Sequence, residues 1–214
     1  MGGFFITFEG GEGSGKSTQV QYLVNRIQSD LQDVETLVTR EPGGTESAES
    51  IRNLLVTGSA DKWRPATEAM LMSASRHEHV VHVLRPALAA GKIVLCDRYN
   101  DSTRVYQGLV GGVPEDDIEA LNNLACDGLV PDLTILLDMD VETGLARASD
   151  RRGSESRFES KGMSFHQQVR RAFLDLAARH DQRFVIIDAS GSQEAVAEEI
   201  AGHVMARLAA VGLG

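Results

Sequence analysis

A phosphate-binding loop is predicted by the residues from Gly10 to Ser17, which read G-G-E-G-S-G-K-S. They fit the pattern G-x-x-x-x-G-K-[ST], in which backbone N–H groups of a glycine loop converge on phosphate oxygens. Lys16 would reach the β- and γ-phosphates of a nucleotide, and the Ser17 hydroxyl would ligate Mg²⁺. The residues expected to contact the nucleotide are Gly10, Gly11, Glu12, Gly13, Ser14, Gly15, Lys16, Ser17 and Thr18.

The segments on either side of this loop indicate whether the pattern marks a phosphate-binding site. Residues 4–8 read F-F-I-T-F, a composition that favours a strand, and residues 18–31 carry apolar side chains at helical spacing. Strand, glycine loop and helix in this order are the context that phosphate binding requires. The alternative is a glycine-rich turn that binds nothing.

Strand-like and helix-like segments alternate along the whole chain, which predicts a parallel sheet covered by helices on both faces. The predicted strands are Phe4 to Phe8, Glu35 to Thr39, Ile93 to Asp97, Leu133 to Met139 and Phe184 to Asp188. The predicted helices are Ser17 to Leu31, Glu46 to Thr57, Ala66 to Ala90, Glu115 to Cys126, Glu142 to Arg151, Ser164 to His180 and Glu194 to Ala210. Pro86 is expected to kink or break the third helix near Arg85.

Length and composition indicate one α/β domain spanning residues 1–214, with 42% hydrophobic and 24% charged residues. The net charge of −10 argues against a nucleic-acid polymer as the partner, but a free nucleotide can be held by local arginines and lysines. Cys96 and Cys126 show no metal-ligand spacing. No signal peptide or membrane-spanning run is recognised, so we expect a cytoplasmic protein without a membrane partner.

Three further segments carry a family resemblance. Residues 39–45 read T-R-E-P-G-G-T, residues 97–108 read D-R-Y-N-D-S-T-R-V-Y-Q-G, and residues 156–159 read S-R-F-E. Together with the glycine loop they resemble the thymidylate kinases, from about Phe4 to the last helix. The resemblance implies a five-stranded fold like that of the P-loop nucleoside-monophosphate kinases, phosphorylation of dTMP to dTDP with ATP and Mg²⁺, and a homodimer.

Two segments that follow predicted strands are candidates to hold the acceptor phosphate. Arg40 would take the phosphate of dTMP bidentately at the carboxyl edge of the sheet, the alternative being a surface ion pair. Asp97 would act on Mg²⁺ near Ser17, and the resemblance implies that Arg98 meets the acceptor phosphate. The alternative for Asp97 and Arg98 is an internal ion pair. The resemblance also implies that the Glu41–Pro42 peptide bond is cis.

The resemblance assigns the thymine contacts. Thr103 and Gln107, which share a face if their segment is helical, would lie at the ring, and Arg76 would bond a thymine carbonyl. Met72 replaces the family's stacking Phe, and its alternative role is that of a core residue. Glu12 would accept a hydrogen bond from the 3′-hydroxyl of dTMP.

A mobile lid is predicted at about residues 150–162, which are polar and contain Arg151, Arg152 and Arg157. Gly13 and Ser14 hold no arginine, and family members of this type place catalytic arginines in the lid. Arg152 and Arg157 are therefore predicted to act in catalysis with Lys16 and Arg98. Adenine is expected near Ala189 to Gln193, by fold analogy.

Rival functions of different classes remain at this point. Another small-molecule kinase of the same fold would share the glycine loop but not the T-R-E-P-G-G-T segment. A guanine-specific switch would carry an N-K-x-D segment, which the sequence lacks. A sensor that binds nucleotides without phosphate transfer is the third alternative.

Overall fold

Five parallel strands form one sheet in the structure, a computed structural model that describes residues 2–31, 34–149 and 157–213. The strands are β1 (Phe4–Gly10), β2 (Thr36–Arg40), β3 (Ile93–Asp97), β4 (Leu133–Asp138) and β5 (Phe184–Asp188). Their order across the sheet is β2-β3-β1-β4-β5. The predicted α/β fold with five parallel strands is confirmed, and the predicted strand bounds differ by at most two residues.

Helices cover the sheet on both faces. Those in the described residues are α1 (Lys16–Asp30), α2 (Glu46–Val56), α3 (Pro65–His79), α4 (Arg85–Ala89), α5 (Asn100–Thr103), α6 (Glu115–Cys126), α7 (Val141–Ser149), α8 (Met163–Arg179) and α9 (Gln193–Ala210). Two π-helical segments, Val80–Leu84 and Arg104–Leu109, continue α3 and α5. The second of these carries Gln107 one turn after Thr103.

Of the two outcomes expected near Arg85, a kink or a break, the break does not occur. The backbone stays helical from α3 through the π-helical segment into α4, with φ of −61° and ψ of −47° at Arg85. Pro86 lies in the first turn of α4 directly after the π-helical segment, so its missing N–H falls where the hydrogen-bond pattern of the helix changes. The wider turn just before it accommodates the proline ring, so the helix changes its hydrogen-bond pattern instead of ending.

Alternation along β1 separates core residues from site residues. Phe4, Ile6 and Phe8 pack into the cluster that β1 shares with α1 and α9, whereas Phe5 packs against the opposite helices. Because successive side chains point to opposite faces, Glu9 shares the face of Phe5. A buried carboxylate is thereby placed at the carboxyl end of the central strand.

The strand register brings the predicted site segments to one edge of the sheet. Asp97 is opposite Phe8 on one side and opposite Arg40 on the other. The glycine loop leaves β1 at the same edge, where open parallel sheets bind their ligands. No helix in the described ranges is long and apolar enough to cross a membrane.

Candidate active site

The glycine loop connects β1 to α1 through backbone angles that favour glycine. The angle φ is 139° at Gly10, 70° at Gly13 and 92° at Gly15. A Cβ atom on Gly13 would lie 1.8 Å from the carbonyl oxygen of Gly144 on α7, so the loop also packs too closely for another residue. The loop leads into the N-terminus of α1, the helix end whose dipole favours an anion.

Lys16 lies folded onto this loop. Its Nζ donates to the carbonyl oxygens of Gly11 at 2.9 Å and Gly10 at 3.2 Å, and to the hydroxyl of Ser14 at 3.3 Å. Burial, together with the nearby Arg98 charge, lowers the pKa of Lys16 to about 8. A bound phosphate would supply the negative charge that this ammonium group lacks.

Ser17 and Asp97 meet as predicted for a metal site. The Ser17 hydroxyl donates to Oδ2 of Asp97 at 2.9 Å, although the two residues are 80 positions apart in the sequence. A hydroxyl and a carboxylate oxygen are hard ligands of the kind that Mg²⁺ accepts beside substrate phosphates. The donor set therefore fits magnesium.

Arg98 connects the glycine loop to the segment after β3. It has a φ of 71°, and its guanidinium donates to Glu12 Oε1 at 2.9 Å, Gly10 O at 3.1 Å and Ser102 Oγ at 3.1 Å. The partner of Arg98 is thus Glu12, and the alternative of an Asp97–Arg98 ion pair finds no support. The guanidinium also lies 5.2 Å from the ring centre of Tyr106, within the range of a cation–π contact.

Glu12 faces the acceptor side although its position in the sequence is in the glycine loop. Its Oε1 also accepts a hydrogen bond from the Tyr106 hydroxyl at 3.1 Å. Burial by itself raises the pKa of Glu12, but the charges of Arg98 and Lys16 lower it below its usual value. Glu12 is therefore an ionised acceptor at the boundary between the two halves of the site.

Arg40 ends β2 at the rim of the same cleft. Its side chain is 54% exposed and lies 3.4 Å from Glu49 Oε2, the surface ion pair that was one alternative. It also lines an open cleft of about 1190 Å³ together with Lys16, Ser17 and Arg98. An exposed and weakly held arginine can turn to an incoming phosphate, so both descriptions fit this structure.

Arg76 is buried beneath a second pocket and held from several sides. Its Nε donates to Glu41 Oε2 at 2.7 Å, and its Nη2 donates to Thr103 Oγ1 and Tyr99 O, each at 3.1 Å. Glu41 Oε1 lies 3.0 Å from Nδ1 of His79. The peptide bond between Glu41 and Pro42 is cis, as predicted.

The second pocket has an empty volume of about 380 Å³ and combines apolar walls with polar groups. Its apolar lining includes Met72, Pro42 and Phe158, and its polar lining includes Glu12, Arg76, Arg98, Thr103 and Gln107. The structure thus brings together all predicted contacts of the sugar and base. Met72 is half-buried and contributes to the wall, which supports the pocket role over a pure core role.

Gln107 is fixed from behind by a glutamate that sequence reasoning missed. Its Nε2 donates to Glu68 Oε2 at 3.0 Å, and Glu68 Oε1 pairs with the guanidinium of Arg157. Arg157 also donates to the carbonyl oxygens of Leu55, Ser59 and Ala60. These acceptors lie on α2, α3 and the loop between them, away from the glycine loop.

The predicted lid is only partly described. Arg151 and Arg152 lie outside the described residues, and Arg157 is buried with 1% of its surface exposed. The predicted catalytic role of Arg157 stays a prediction, and it requires the side chain to exchange these acceptors for the phosphates. Residues 189–193, predicted to lie near adenine, form the wall of a pocket that also includes Thr18 and Arg147.

Glu9 is a second residue that sequence reasoning missed. Its carboxylate accepts from the backbone N–H of Tyr99 at 2.8 Å and from the N–H and hydroxyl of Ser102 at 3.2 and 2.6 Å. Burial, together with the nearby Asp101 charge, raises the pKa of Glu9 to about 7. The alternation with Phe5 was the available signal that this carboxylate points under the segment that carries Arg98.

The comparisons with known proteins agree with this geometry. A family model described as thymidylate kinase matches residues 8–200. A thymidylate kinase of Caulobacter vibrioides is 51% identical over 206 residues, covering 96% of this chain and 98% of that protein. Thymidylate kinases of Trichlorobacter lovleyi and Ruegeria pomeroyi are 50% and 47% identical, each over 96% of this chain and over 98% and 96% of their own lengths.

Proposed function

The chain belongs to the thymidylate kinase family, and we propose that it transfers the γ-phosphate of ATP to dTMP, giving dTDP and ADP. It is accordingly a phosphotransferase. The observation that carries the proposal is the shared cleft, in which Lys16 and Ser17 of the glycine loop face Arg40 and Arg98 of the acceptor side. A cleft with cationic side chains on both sides is suited to transfer of a phosphoryl group between two nucleotides.

The chemistry requires positioning more than proton transfer. The second pKa of a phosphate monoester is about 6, so dTMP is largely a dianion at neutral pH and needs no general base. The barrier arises from bringing two anions into line, which preorganised positive charge lowers. The cluster of Lys16, Arg40 and Arg98 supplies that charge despite the net negative charge of the protein.

Lys16 would exchange its loop partners for phosphate. Its bonds to Gly10 and Gly11 hold the ammonium group close to the place where the loop N–H groups converge. Phosphate oxygens are stronger acceptors than backbone carbonyls and raise the pKa that burial has lowered. Lys16 is therefore fully charged once the nucleotide is bound.

Ser17 and Asp97 are the residues that would hold Mg²⁺. When bound, this ion neutralises charge on the β- and γ-phosphates of ATP. The hydroxyl–carboxylate hydrogen bond keeps the two oxygens on the same side of the cleft, so no large rearrangement of the chain is needed. The residues expected to contact ATP remain those of the glycine loop and Thr18.

On the acceptor side, Arg98 and Arg40 would bind the phosphate of dTMP, and Glu12 would accept from its 3′-hydroxyl. Arg76, Thr103 and Gln107 would bond the thymine ring, with Met72 on one face. Because Arg76 and Thr103 are hydrogen-bonded to each other, their polar groups have fixed positions beside the base. This assignment uses every polar group predicted for the pocket.

The catalytic roles of Arg152 and Arg157 stay predictions, and because Arg157 is bonded to Glu68 and three backbone carbonyls, Arg152 is our first candidate for the arginine that stabilises the transferring phosphoryl group. A cytoplasmic location and a homodimer also stay predictions. None of these assignments changes the reaction that the cleft supports.

A coupled ADP-release assay across dTMP, dUMP, dCMP, dGMP and AMP tests the proposed function. We expect turnover to be fastest with dTMP and to require Mg²⁺. A preference for AMP or for a deoxynucleoside would indicate another small-molecule kinase. Tight binding of ATP and dTMP without ADP release would instead indicate a nucleotide sensor.

A further inference from the structure

Glu68 on α3 is a buried carboxylate between two parts of the molecule that are far apart in the sequence. One carboxylate oxygen accepts a hydrogen bond from Gln107, 39 residues away, and the other accepts one from Arg157, 89 residues away. We propose that Glu68 is a positioning residue that links the segment beginning at Arg157 to recognition of the base. This inference rests on the proposed function, because it concerns how dTMP is distinguished from other nucleotides.

The bond to Glu68 determines which atom of Gln107 is offered to the pocket. An ionised carboxylate only accepts hydrogen bonds, so the amide must direct its Nε2 toward Glu68. Gln107 lines the base pocket, and its carbonyl Oε1 is the acceptor of this amide that Glu68 leaves for a ligand. The pocket therefore presents an acceptor at this position.

An acceptor at this position discriminates between pyrimidines. Thymine and uracil carry a hydrogen on N3, which can donate to Gln107 Oε1. Cytosine has an unprotonated N3, so two acceptors would face each other. Reversal of the amide would relieve this conflict, but it would turn Oε1 toward the carboxylate of Glu68. Glu68 thus keeps Gln107 in the orientation that rejects cytosine.

Arg157 pairs with Glu68 and holds its carboxylate in place. A carboxylate with 3% of its surface exposed needs a buried partner, and the guanidinium of Arg157 provides one. The three backbone carbonyls that also bind Arg157 fix its position from α2 and the following loop. Arg157 is therefore an anchor for the chain that follows residues 150–156.

The next residue extends this anchor into the base pocket. Phe158 lines the pocket, and its ring meets that of Tyr106 edge to face with 5.8 Å between the ring centres. The pair of Arg157 and Glu68 thus holds one wall of the pocket in place, and the same carboxylate orients Gln107.

The test compares dTMP with dCMP in three variants of the full-length protein. We expect Glu68→Gln and Arg157→Met each to shift kcat/KM toward dCMP by about tenfold relative to dTMP, the size of one polar contact. Arg157→Lys should restore part of the preference, because an ammonium group can still pair with Glu68. Where dCMP turnover is too slow to measure, its inhibition constant against dTMP gives the same ratio.

Glu119→Gln is the matched control, since Glu119 also pairs with an arginine, Arg104, through two hydrogen bonds but does not line the base pocket. Its ratio of dCMP to dTMP should stay unchanged. If Glu68→Gln fails to fold, Arg157→Met decides the question, and an unchanged ratio there overturns the proposal.

The outcomes separate this proposal from its alternatives. Equal loss of kcat for both nucleotides in Arg157→Met, with an unchanged ratio, would identify Arg157 as a catalytic arginine and overturn the anchor role. Phosphate transfer to dTMP with unchanged ratios in both variants would overturn the role of Glu68 alone. Absence of transfer to dTMP by the unmodified protein would overturn the proposed function and this inference with it.

Discussion

The glycine loop and the base pocket are built in opposite ways. Lys16 is held by atoms of residues no more than six positions away, whereas Arg76 is held by Glu41 and Thr103, 35 and 27 positions away. The first half of the site is a local structure that a short motif encodes. The second half exists only when several elements have packed together.

This difference predicts different consequences of mutation. The Lys16 side chain of the glycine loop can be removed with little cost in folding, because its two nearest partners are backbone carbonyl groups that water can also satisfy. A buried side chain of the base pocket leaves a charged partner behind when it is removed. Replacing Lys16 in the loop should therefore lower activity without lowering stability. Replacing a buried side chain of the pocket should lower both.

The largest effect is expected at Lys16. Lys16→Ala should lower kcat by about 10³-fold or more, because the charge acts on the transferring phosphate. Below pH 8 the free energy of unfolding should be equal or higher in the variant, since the pKa of Lys16 is lowered to about 8 and a charged buried lysine destabilises the fold. Steady-state kinetics and urea unfolding at pH 7 measure both quantities.

Lys62→Ala is the control for this prediction. Lys62 also donates to two backbone carbonyl oxygens, those of Leu54 and Thr57, but it lies outside the cleft. Its replacement should leave kcat near that of the unmodified protein. Near-normal turnover in a folded Lys16→Ala protein would refute the assignment of Lys16 to the donor site.

Arg76 tests the other side of the comparison. Arg76→Met should lower the free energy of unfolding by about 3 kcal/mol, because the buried carboxylate of Glu41 loses its guanidinium partner. It should also raise KM for dTMP. Arg26→Met is the control, since Arg26 pairs with the exposed Asp30 and Glu198 and its replacement should change the free energy of unfolding little. Equal stability of the two variants would contradict the claim that the fold depends on the buried side chains of the pocket.

The same difference explains what the sequence could predict. The sheet, its strand bounds and the contact between Ser17 and Asp97 follow from local patterns and from the rule that ligands bind at the carboxyl ends of parallel strands. The π-helical turn before Pro86 did not follow, because the response of a helix to a proline depends on the packing around it.

Glu68 shows most clearly what the sequence could not predict. Its sequence context, an acidic residue in the first turn of α3, indicates only a favourable interaction with the helix dipole. Its partners Gln107 and Arg157 belong to segments whose approach depends on the complete fold. The sequence alone therefore does not reveal what a carboxylate at this position does. The role of His79, which lies beside Glu41, could not be inferred from the sequence for the same reason.

Glu12 refines the comparison between the glycine loop and the base pocket, because it lies in the loop but its side chain contacts residues of the pocket. If it accepts from the sugar, a 3′-deoxy analogue of dTMP should lose about 1–3 kcal/mol in kcat/KM, since an ionised acceptor is left unpaired. The loss should shrink in Glu12→Gln, which removes the charge. Equal turnover of dTMP and the analogue by the unmodified protein would remove this role.

The smallest effect is expected at Met72, which stands on the same face of α3 as Arg76, one helical turn before it. Met72 is half-buried and lines the base pocket, so its truncation exposes a ligand-binding wall and not a closed core. A sulfur–aromatic contact is worth roughly 0.3–1.5 kcal/mol. Met72→Ala should accordingly raise KM for dTMP several-fold, leave KM for ATP nearly unchanged, and change thermal stability little.

Met70, on the same helix and 53% exposed, provides the matched control. Met70→Ala removes the same atoms from the outer surface, so KM for both nucleotides should stay constant. Met72→Phe should bind dTMP at least as well as the unmodified protein, because an aromatic ring can stack on thymine from that wall. A stability loss of about 2–5 kcal/mol in Met72→Ala, the range for a fully buried methionine, together with an unchanged KM for dTMP, would assign Met72 to the core. The base pocket would then discriminate through its polar groups alone, which would make the orientation of Gln107 by Glu68 more important.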